Sequence, residues 1–451
     1  MDITLKNLGP ISEANFTVGD LTIICGKNNT GKTYITYATY GFFSLLKNYR
    51  FNLFDYPFVA DILKSQKPIR IKYSDLNKNL IDELIRFSSI YKEQLNRIFA
   101  SSNIQVTASH IGLNMLSNEG HKRDLTATYY VEDGGAVTIN LSNKDDCYLD
   151  LDLIVTLGFE NRPDLSEVIA DLNYWVKEII LPKVFMASAE RTGAALFQRE
   201  IDFNRSGLID ILKETNANPQ QLLGRFTAEY PLPVKHNIDF VRDLPNIISK
   251  QSEFSRQYPE ILLSFAQLLG GDYQVNNVGG ISYSPTSQPD LKLTLAESSS
   301  TVRSLVDIGF YLKHLAKKGD LLMVDEPELN LHPENQRKIA RLFAMLVNAG
   351  IRVFITTHSD YIIKEFNTLL LLNKEDERLQ QIAKREGYQP NELLKPEQLN
   401  IYMTAPDTNV VDRKAYALLP AQITAENGIE LKTFDDTIED MNRIQDEIVW
   451  G

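Results

Sequence analysis

Near the start of the chain, Leu21 to Thr33 reads LTIICGKNNTGKT, and this stretch constrains the fold more than any other. Leu21, Ile23, Ile24 and Cys25 run straight into Gly26, the pattern of a strand buried in a sheet core. Gly26-Lys27-Asn28-Asn29-Thr30-Gly31-Lys32-Thr33 then matches GxxxxGK[ST], a loop whose glycines let backbone N–H groups curl around phosphate oxygens at a helix N-terminus. In that pattern Gly26, Asn28, Asn29, Thr30 and Gly31 form the cradle, Lys32 reaches the β- and γ-phosphates, and the Thr33 hydroxyl holds Mg²⁺. Tyr34 to Leu46 supplies the helix and is apolar nearly all round, so it packs on several sides. A chance glycine turn with a lysine would lack both flanks.

A phosphate loop needs a metal-holding acid from a second strand, and one candidate lies far downstream. Leu321-Leu322-Met323-Val324 is an apolar run ending in Asp325-Glu326-Pro327-Glu328, a buried parallel strand with acids at its C-terminal end, where α/β folds place ligand groups. Asp325 would hold Mg²⁺, and Glu326 would polarise the water that attacks the γ-phosphate. Pro333 opens a helix with Ile339, Leu342, Phe343, Leu346 and Val347 on one face, stopped by Gly350. Arg352 to Thr357 is another buried strand, and it delivers His358 to the same sheet edge, where an imidazole can bond a γ-phosphate or serve only the structure. Ser298-Ser299-Ser300-Thr301 precedes a further helix; its hydroxyls and N–H groups read either as an anion site or as an ordinary serine cap.

Between these halves lies room for insertions, since the chain has 451 residues, of which 43% are hydrophobic. Met1 to Leu5 and Ala14 to Val18 read as short strands about the turn Asn7-Leu8-Gly9-Pro10. In Arg50 to Asn79, Lys64, Lys67, Arg70 and Lys72 read as a basic edge for DNA or as a solvated strand face. Asp82 to Phe99 has helical spacing, and Leu125 to Val131 pairs with Ala136 to Leu141 about Glu132-Asp133-Gly134-Gly135. Leu165 to Ile180 is a helix, and Val184-Phe185-Met186 a strand that delivers Ser188-Ala189-Glu190-Arg191 to a loop. A helical block follows over Ser206 to Leu223, Ile238 to Ile248 and Ser255 to Leu269, closed by a hairpin from Tyr273 to Tyr283. Leu399 to Met403 reads as a strand, and a final helix carries Ile438, Met441, Ile444 and Ile448 on one stripe, fit to dock on the head; Trp450 beyond it reads as a docking tail or as part of that packing. No heptad run persists, so a long coiled-coil arm is not expected.

The net charge of −12 repels nucleic acid on average, so any DNA contact must be local or made by a partner. Two cysteines, Cys25 and Cys147, cannot make a disulfide framework. With no run of about 18 apolar residues and no charged and apolar leader, the expectation is a cytoplasmic protein without a membrane span.

The order of parts resembles the ABC-type ATPases of the SMC, RecF and OLD group: phosphate loop, serine-rich helix start, Asp325-Glu326 at a strand end, Leu329-Asn330-Leu331-His332-Pro333, then Thr356-Thr357-His358-Ser359. It is most similar to the ATPase subunits of bacterial anti-phage systems of the Septu (PtuA-like) type. The resemblance covers 1–50 and 290–370 well and the middle loosely. It implies an α/β fold, an ABC-type P-loop ATPase head with a mixed helical and β-hairpin insertion. The implied parts are an N-terminal head segment 1–50, insertions 51–180 and 205–289, a return to the head at 181–204, a second head segment 290–372 and an extension 373–451. It implies ATP and Mg²⁺ as cofactors, Lys32, Glu326 and His358 as catalytic residues, and Thr33 and Asp325 at the metal.

The same resemblance implies a head-to-head dimer in which Ser298, Ser299 and Ser300 act in trans on the γ-phosphate and Glu328 to His332 cross the interface. The glycine that usually follows the signature serine is missing here, and Gln66 and Gln105 are the candidates for the glutamine that completes the metal shell. Arg191 resembles a basic residue near the nucleotide, or serves a structural ion pair. A separate nuclease or toxin partner is implied, of HNH type if Septu-like, because 373–451 carries no acidic nuclease cluster. The alternative is a RecF-like repair ATPase that binds DNA itself. A transporter motor is disfavoured by the long insertion from Phe51 to Asp290, and a metabolic P-loop kinase by Asp325-Glu326 followed by His358.

Overall fold

Leu21–Cys25 forms a strand with all five residues buried, as its unbroken apolar run requires. In this computed structural model, residues 1–54, 57, 69–101, 112–114, 124–130, 136–145, 148–156, 165–214, 230–276, 280–410, 414–430 and 443–448 are described. The main sheet contains β1 (Asp2–Leu8), β2 (Ile11–Thr17) and β3 (Leu21–Cys25) from the N-terminal segment. The insertion contributes β4 (Ile69–Lys72), β5 (Gly112–Asn114), β6 (Asp124–Tyr130), β7 (Ala136–Asp145) and β8 (Tyr148–Thr156). Beyond it come β9 (Val184–Ala187), the three-stranded set β10 (Gly271–Val275), β11 (Ile281–Pro285) and β12 (Leu293–Thr294), then β13 (Leu321–Asp325), β14 (Arg352–Thr357), β15 (Leu399–Pro406) and β16 (Tyr416–Pro420).

Nine strands make one sheet in the order β5-β1-β2-β16-β15-β3-β14-β13-β9. From β15 to β9 every pair is parallel, with Cys25 level with both Thr357 and Met403, Asp325 with Thr356, and Val324 with Ala187. Parallel strands end at one edge, so Gly26, Ser188, Glu326, His358 and Thr404 emerge together. The remaining strands are joined by antiparallel pairs, apart from β16, which runs parallel to β2. Helix Lys32–Leu46 and helix Tyr73–Ile98 share one core with β1 and β2, built on Ile35, Ala38, Phe42, Leu84, Tyr91 and Leu95. Helices Leu232–Ile247, Pro259–Leu269, Pro333–Asn348 and Asp360–Leu371 contribute to a second core with Leu21, Ile23, Leu322 and Val324. Leu21 and Ile23 belong to the second core and Ile24 to the first, so β3 is covered on both faces.

Within the insertion, β6 and β7 pair antiparallel with Tyr130 opposite Ala136, and β4-β8-β7-β6 is a four-stranded antiparallel sheet. Lys64, Lys67, Gln66, Gln105, Cys147, Gly279, Ile438, Met441 and Trp450 lie outside the described residues. Several sequence expectations need correction. The chain does not wait until Ser206 to turn helical: Arg191 itself opens a helix, Arg191–Glu214, despite Gly193 in its first turn. Ser255 to Leu269 is two helices, Glu253–Gln257 and Pro259–Leu269, because Pro259 supplies no N–H and begins the second. Beyond the serine cluster the expected single helix is three short pieces, Ser300–Ser304, Val306–Phe310 and a π-helical turn Tyr311–Leu315. The last described helix residues do not dock by the expected stripe, since Ile444 and Ile448 are exposed. Among the described residues, no helix is long and apolar enough to cross a membrane.

Candidate nucleotide and metal site

The loop that follows β3 turns through Gly26, Asn29 and Gly31, with φ of 148°, 63° and 96°. Gly31 closes it as the N-cap of helix Lys32–Leu46. At Gly31 a Cβ would sit 2.6 Å from Ile11 Cδ1, so both backbone conformation and space demand glycine. Lys32 is only 5% exposed, and its ammonium donates to the Gly26 and Lys27 carbonyls at 2.9 Å each. Burial lowers its pKa, and the carboxylates of Glu326, Asp325 and Glu328 push it back up, so the lysine shares one electrostatic field with those acids.

Asp325, at the end of β13, is fully buried. One carboxylate oxygen, Oδ1, accepts a very short hydrogen bond from the Thr356 hydroxyl on β14, while Oδ2 is buried with no hydrogen-bond partner. Burial raises its pKa to about 6, with Glu326 and Glu190 adding to the rise and the hydroxyls of Thr356 and Thr33 opposing it. A divalent cation reverses that logic by favouring the carboxylate. The orphaned Oδ2 and the Thr33 hydroxyl therefore fit Mg²⁺, which takes few protein oxygens and completes its shell with water and phosphate. Among the described residues, no group of three or more His, Cys, Asp or Glu that could hold a metal ion is found.

Glu326 sits at φ +50°, a left-handed conformation that non-glycine residues seldom adopt, and its N–H points back to the carbonyl and hydroxyl of Thr356 at 3.2 Å each. Its carboxylate stands 3.8 Å from His358 Nδ1. Glu328 lies closer to the ring, at 3.0 Å, and also accepts from the His358 N–H at 2.7 Å and from the Thr357 hydroxyl at 2.9 Å. Burial raises the pKa of Glu328, and those contacts work against it. So His358 is oriented by Glu328, a residue expected only in the interface turn.

Among the described residues, Arg191 is the largest fully buried side chain. Its guanidinium makes four bonds to carbonyls, those of Ser188 at 2.9 Å, Ser304 and Asp325 at 2.8 Å each, and Glu326 at 3.0 Å. It thus ties the end of β9, the helix after the serine cluster and the strained turn at Glu326 into one unit. Beside it Asp307 is buried with neither oxygen bonded, its pKa raised by burial to about 7 and lowered in part by Arg191. Ser298 donates to the Thr294 carbonyl at 2.7 Å, and Ser299 caps its helix by accepting from the Val302 N–H at 3.3 Å. Ser299 and Ser300 are exposed, and within one chain these serine contacts stay in their own turn; Thr301 donates to the Asn330 carbonyl at 2.8 Å, joining that turn to the loop after Glu328.

Sequence reasoning missed Thr356, Tyr37 and Thr404. The Tyr37 hydroxyl donates to Glu190 at 2.7 Å, next to Asp325 in the electrostatic field. Its signal was available, since Tyr37 stands one helical turn beyond Thr33.

Residues 165–363 match the AAA ATPase domain. That span covers less than half of the chain and leaves the phosphate loop outside it, and the fold around it is mixed α/β, a nine-stranded sheet with helices packed on it. Over 117 residues the chain is 24% identical to the energy-coupling factor transporter ATP-binding protein EcfA2 of Streptococcus thermophilus, covering 26% of this chain and 42% of that one. The chain thus spans less than half the length of the curated relatives it matches. Among solved structures, the SMC head domain from Thermotoga maritima aligns over 94% of this chain and 98% of its own at 11% identity and a TM-score of 0.33. A Pyrococcus furiosus Smc head domain with an extended coiled coil, bound to the C-terminal domain of ScpA, aligns over 98% of each chain at 12% identity and a TM-score of 0.35.

Proposed function

We propose that this chain binds ATP with Mg²⁺ and hydrolyses it, and that ATP-driven head dimerisation makes it the sensor and scaffold of a bacterial anti-phage complex whose cutting or toxic activity belongs to a separate partner. The observation that carries the ATPase reading is the buried, unpartnered Oδ2 of Asp325 at the sheet edge where Lys32, Thr33, Glu326 and His358 also emerge. Lys32 and the loop N–H groups hold phosphate oxygens. Bound Mg²⁺ would neutralise charge on the β- and γ-phosphates, held by Thr33 and Asp325. Glu326 then takes a proton from, and orients, the attacking water, and His358, fixed by Glu328, bonds the γ-phosphate. Glu190, steadied by Tyr37, is the acid available to hold a metal-bound water. The name of EcfA2 as an ATP-binding protein supports the nucleotide.

The dimer rests on the sequence resemblance, and the exposure of Ser299 and Ser300 supports it: in a head-to-head pair they would face the γ-phosphate held by the other copy, with Glu328 to His332 crossing the interface. The defence role and an HNH-type nuclease or toxin partner rest on the sequence resemblance. The deciding experiment is to purify tagged Glu326→Gln protein from its native host with ATP and Mg²⁺, weigh the assembly and identify what accompanies it. A stoichiometric nuclease or toxin on a multimer is the expected result. A bare dimer carrying DNA would favour a RecF-like repair ATPase, and protein that retains no ATP would overturn the whole reading.

A further inference from the structure

The phosphate loop is braced by a strand from the other end of the chain. β15 runs parallel to β3 with Met403 level with Cys25, which brings Thr404 level with Gly26. Thr404 is 7% exposed; its hydroxyl lies 2.6 Å from that of Thr30 and 3.4 Å from the Cys25 carbonyl. The Thr30 hydroxyl also bonds the Lys27 carbonyl at 2.8 Å, so the two threonine hydroxyls, either of which can donate to the other, form one link to the loop backbone. The same Lys27 carbonyl accepts from Lys32. A continuous polar chain therefore runs from Thr404 through Thr30 and Lys27 to the phosphate-binding ammonium. The fit is close on the other side as well, because a Cβ on Gly26 would stand 1.9 Å from the Thr404 hydroxyl.

β15 is itself pinned. The Thr17 N–H donates to the Tyr402 hydroxyl at 2.8 Å, and just past the strand the Ser12 hydroxyl lies 2.6 Å from Asp407 and 3.0 Å from the Tyr416 carbonyl of β16, its one O–H shared between them. β15 is also laddered to β3 on one side and to β16 on the other, so its end of the contact is held by the sheet.

We infer that Thr404 is a positioning residue of the nucleotide site: it holds the phosphate loop in its binding shape, and through it β15 sets the affinity for the triphosphate. This rests on the proposed ATP binding. The physical ground is preorganisation, since a loop already held in shape has less freedom to lose when phosphate arrives. A merely structural threonine would instead affect folding without a selective effect on binding.

The test is to titrate a fluorescent ATP analogue with Mg²⁺ into the wild type, Thr404→Val, Thr404→Ser and, as a non-binding control, Lys32→Ala, and to follow steady-state turnover. Loss of one neutral hydrogen bond corresponds to about a fivefold effect. Thr404→Val is expected to weaken binding and raise KM about five- to tenfold, with kcat within about twofold of wild type, and Thr404→Ser to restore both. Equal affinity of Thr404→Val and wild type overturns the inference and leaves the ATPase reading standing. A wild type that binds no better than Lys32→Ala overturns the ATP reading and the inference with it. Should Thr404→Val fail to fold, amide hydrogen exchange on the wild type decides: ATP should slow exchange across Leu399–Pro406 but not across Gln422–Thr424, and no slowing in the first segment refutes the brace.

Discussion

Glu326 is held in a left-handed backbone conformation by its N–H bonds to Thr356 and by the grip of Arg191 on its carbonyl. The strain is local to the turn, so exchanging the carboxylate for an amide leaves the turn intact and removes only the proton acceptor. Glu326→Gln should therefore keep ATP affinity while lowering kcat by about 10²- to 10⁴-fold in single-turnover assays, and a mutant turning over at the wild-type rate would remove Glu326 from the chemistry. Asp307 makes a different prediction. Its folded pKa of about 7 stands above the ordinary 3.8, so the folded state binds a proton more tightly than the unfolded one. That contribution is complete below about pH 4 and lost as pH rises towards 7, at about 1.4 kcal/mol per pH unit. The charged and titratable groups around it are Arg191 and Tyr273. Thermal melts from pH 4.5 to 8 should show Asp307→Asn losing less stability with pH than wild type; parallel curves would show that Asp307 stays ionised throughout.

At the scale of elements, the strands and turns that carry the site announce themselves locally. β3, β13 and β14 are legible because burial on both faces forces continuous apolar runs, and Pro333 marks its helix because proline fits the first turn. What depends on register between distant segments is not legible. Nothing near Thr404 in the sequence says that it will lie beside Gly26, and nothing near Arg191 says that its guanidinium will collect carbonyls from Ser188, Ser304 and Glu326. The helix it opens was obscured by Gly193, which lowers helix propensity but is tolerated where packing is strong. The meeting of loop and strand also fixes what the loop accepts. Gly26→Ala would force a Cβ into the Thr404 hydroxyl and strain a φ of 148°, so nucleotide binding should fall at least tenfold while the thermal midpoint drops by several degrees; a variant with wild-type affinity would show that the loop relaxes freely.

For the whole molecule, the serine turn is the surface that a second copy would have to meet. Ser299→Arg places a long charged side chain at an exposed cap and should abolish ATP-dependent dimerisation in light scattering, with ATP binding by the monomer spared; a dimer that persists would mean that another surface joins the heads. The sheet order has a consequence for the making of the protein. β3 is synthesised roughly 300 residues before either of its partners, β14 and β15. At ~5–20 residues per second, Leu21, Ile23 and Ile24 wait on the order of half a minute at the ribosome before either neighbour exists. During biosynthesis the phosphate loop is thus attached to an unpaired apolar strand, and the site is completed only when β14 and β15 leave the exit tunnel.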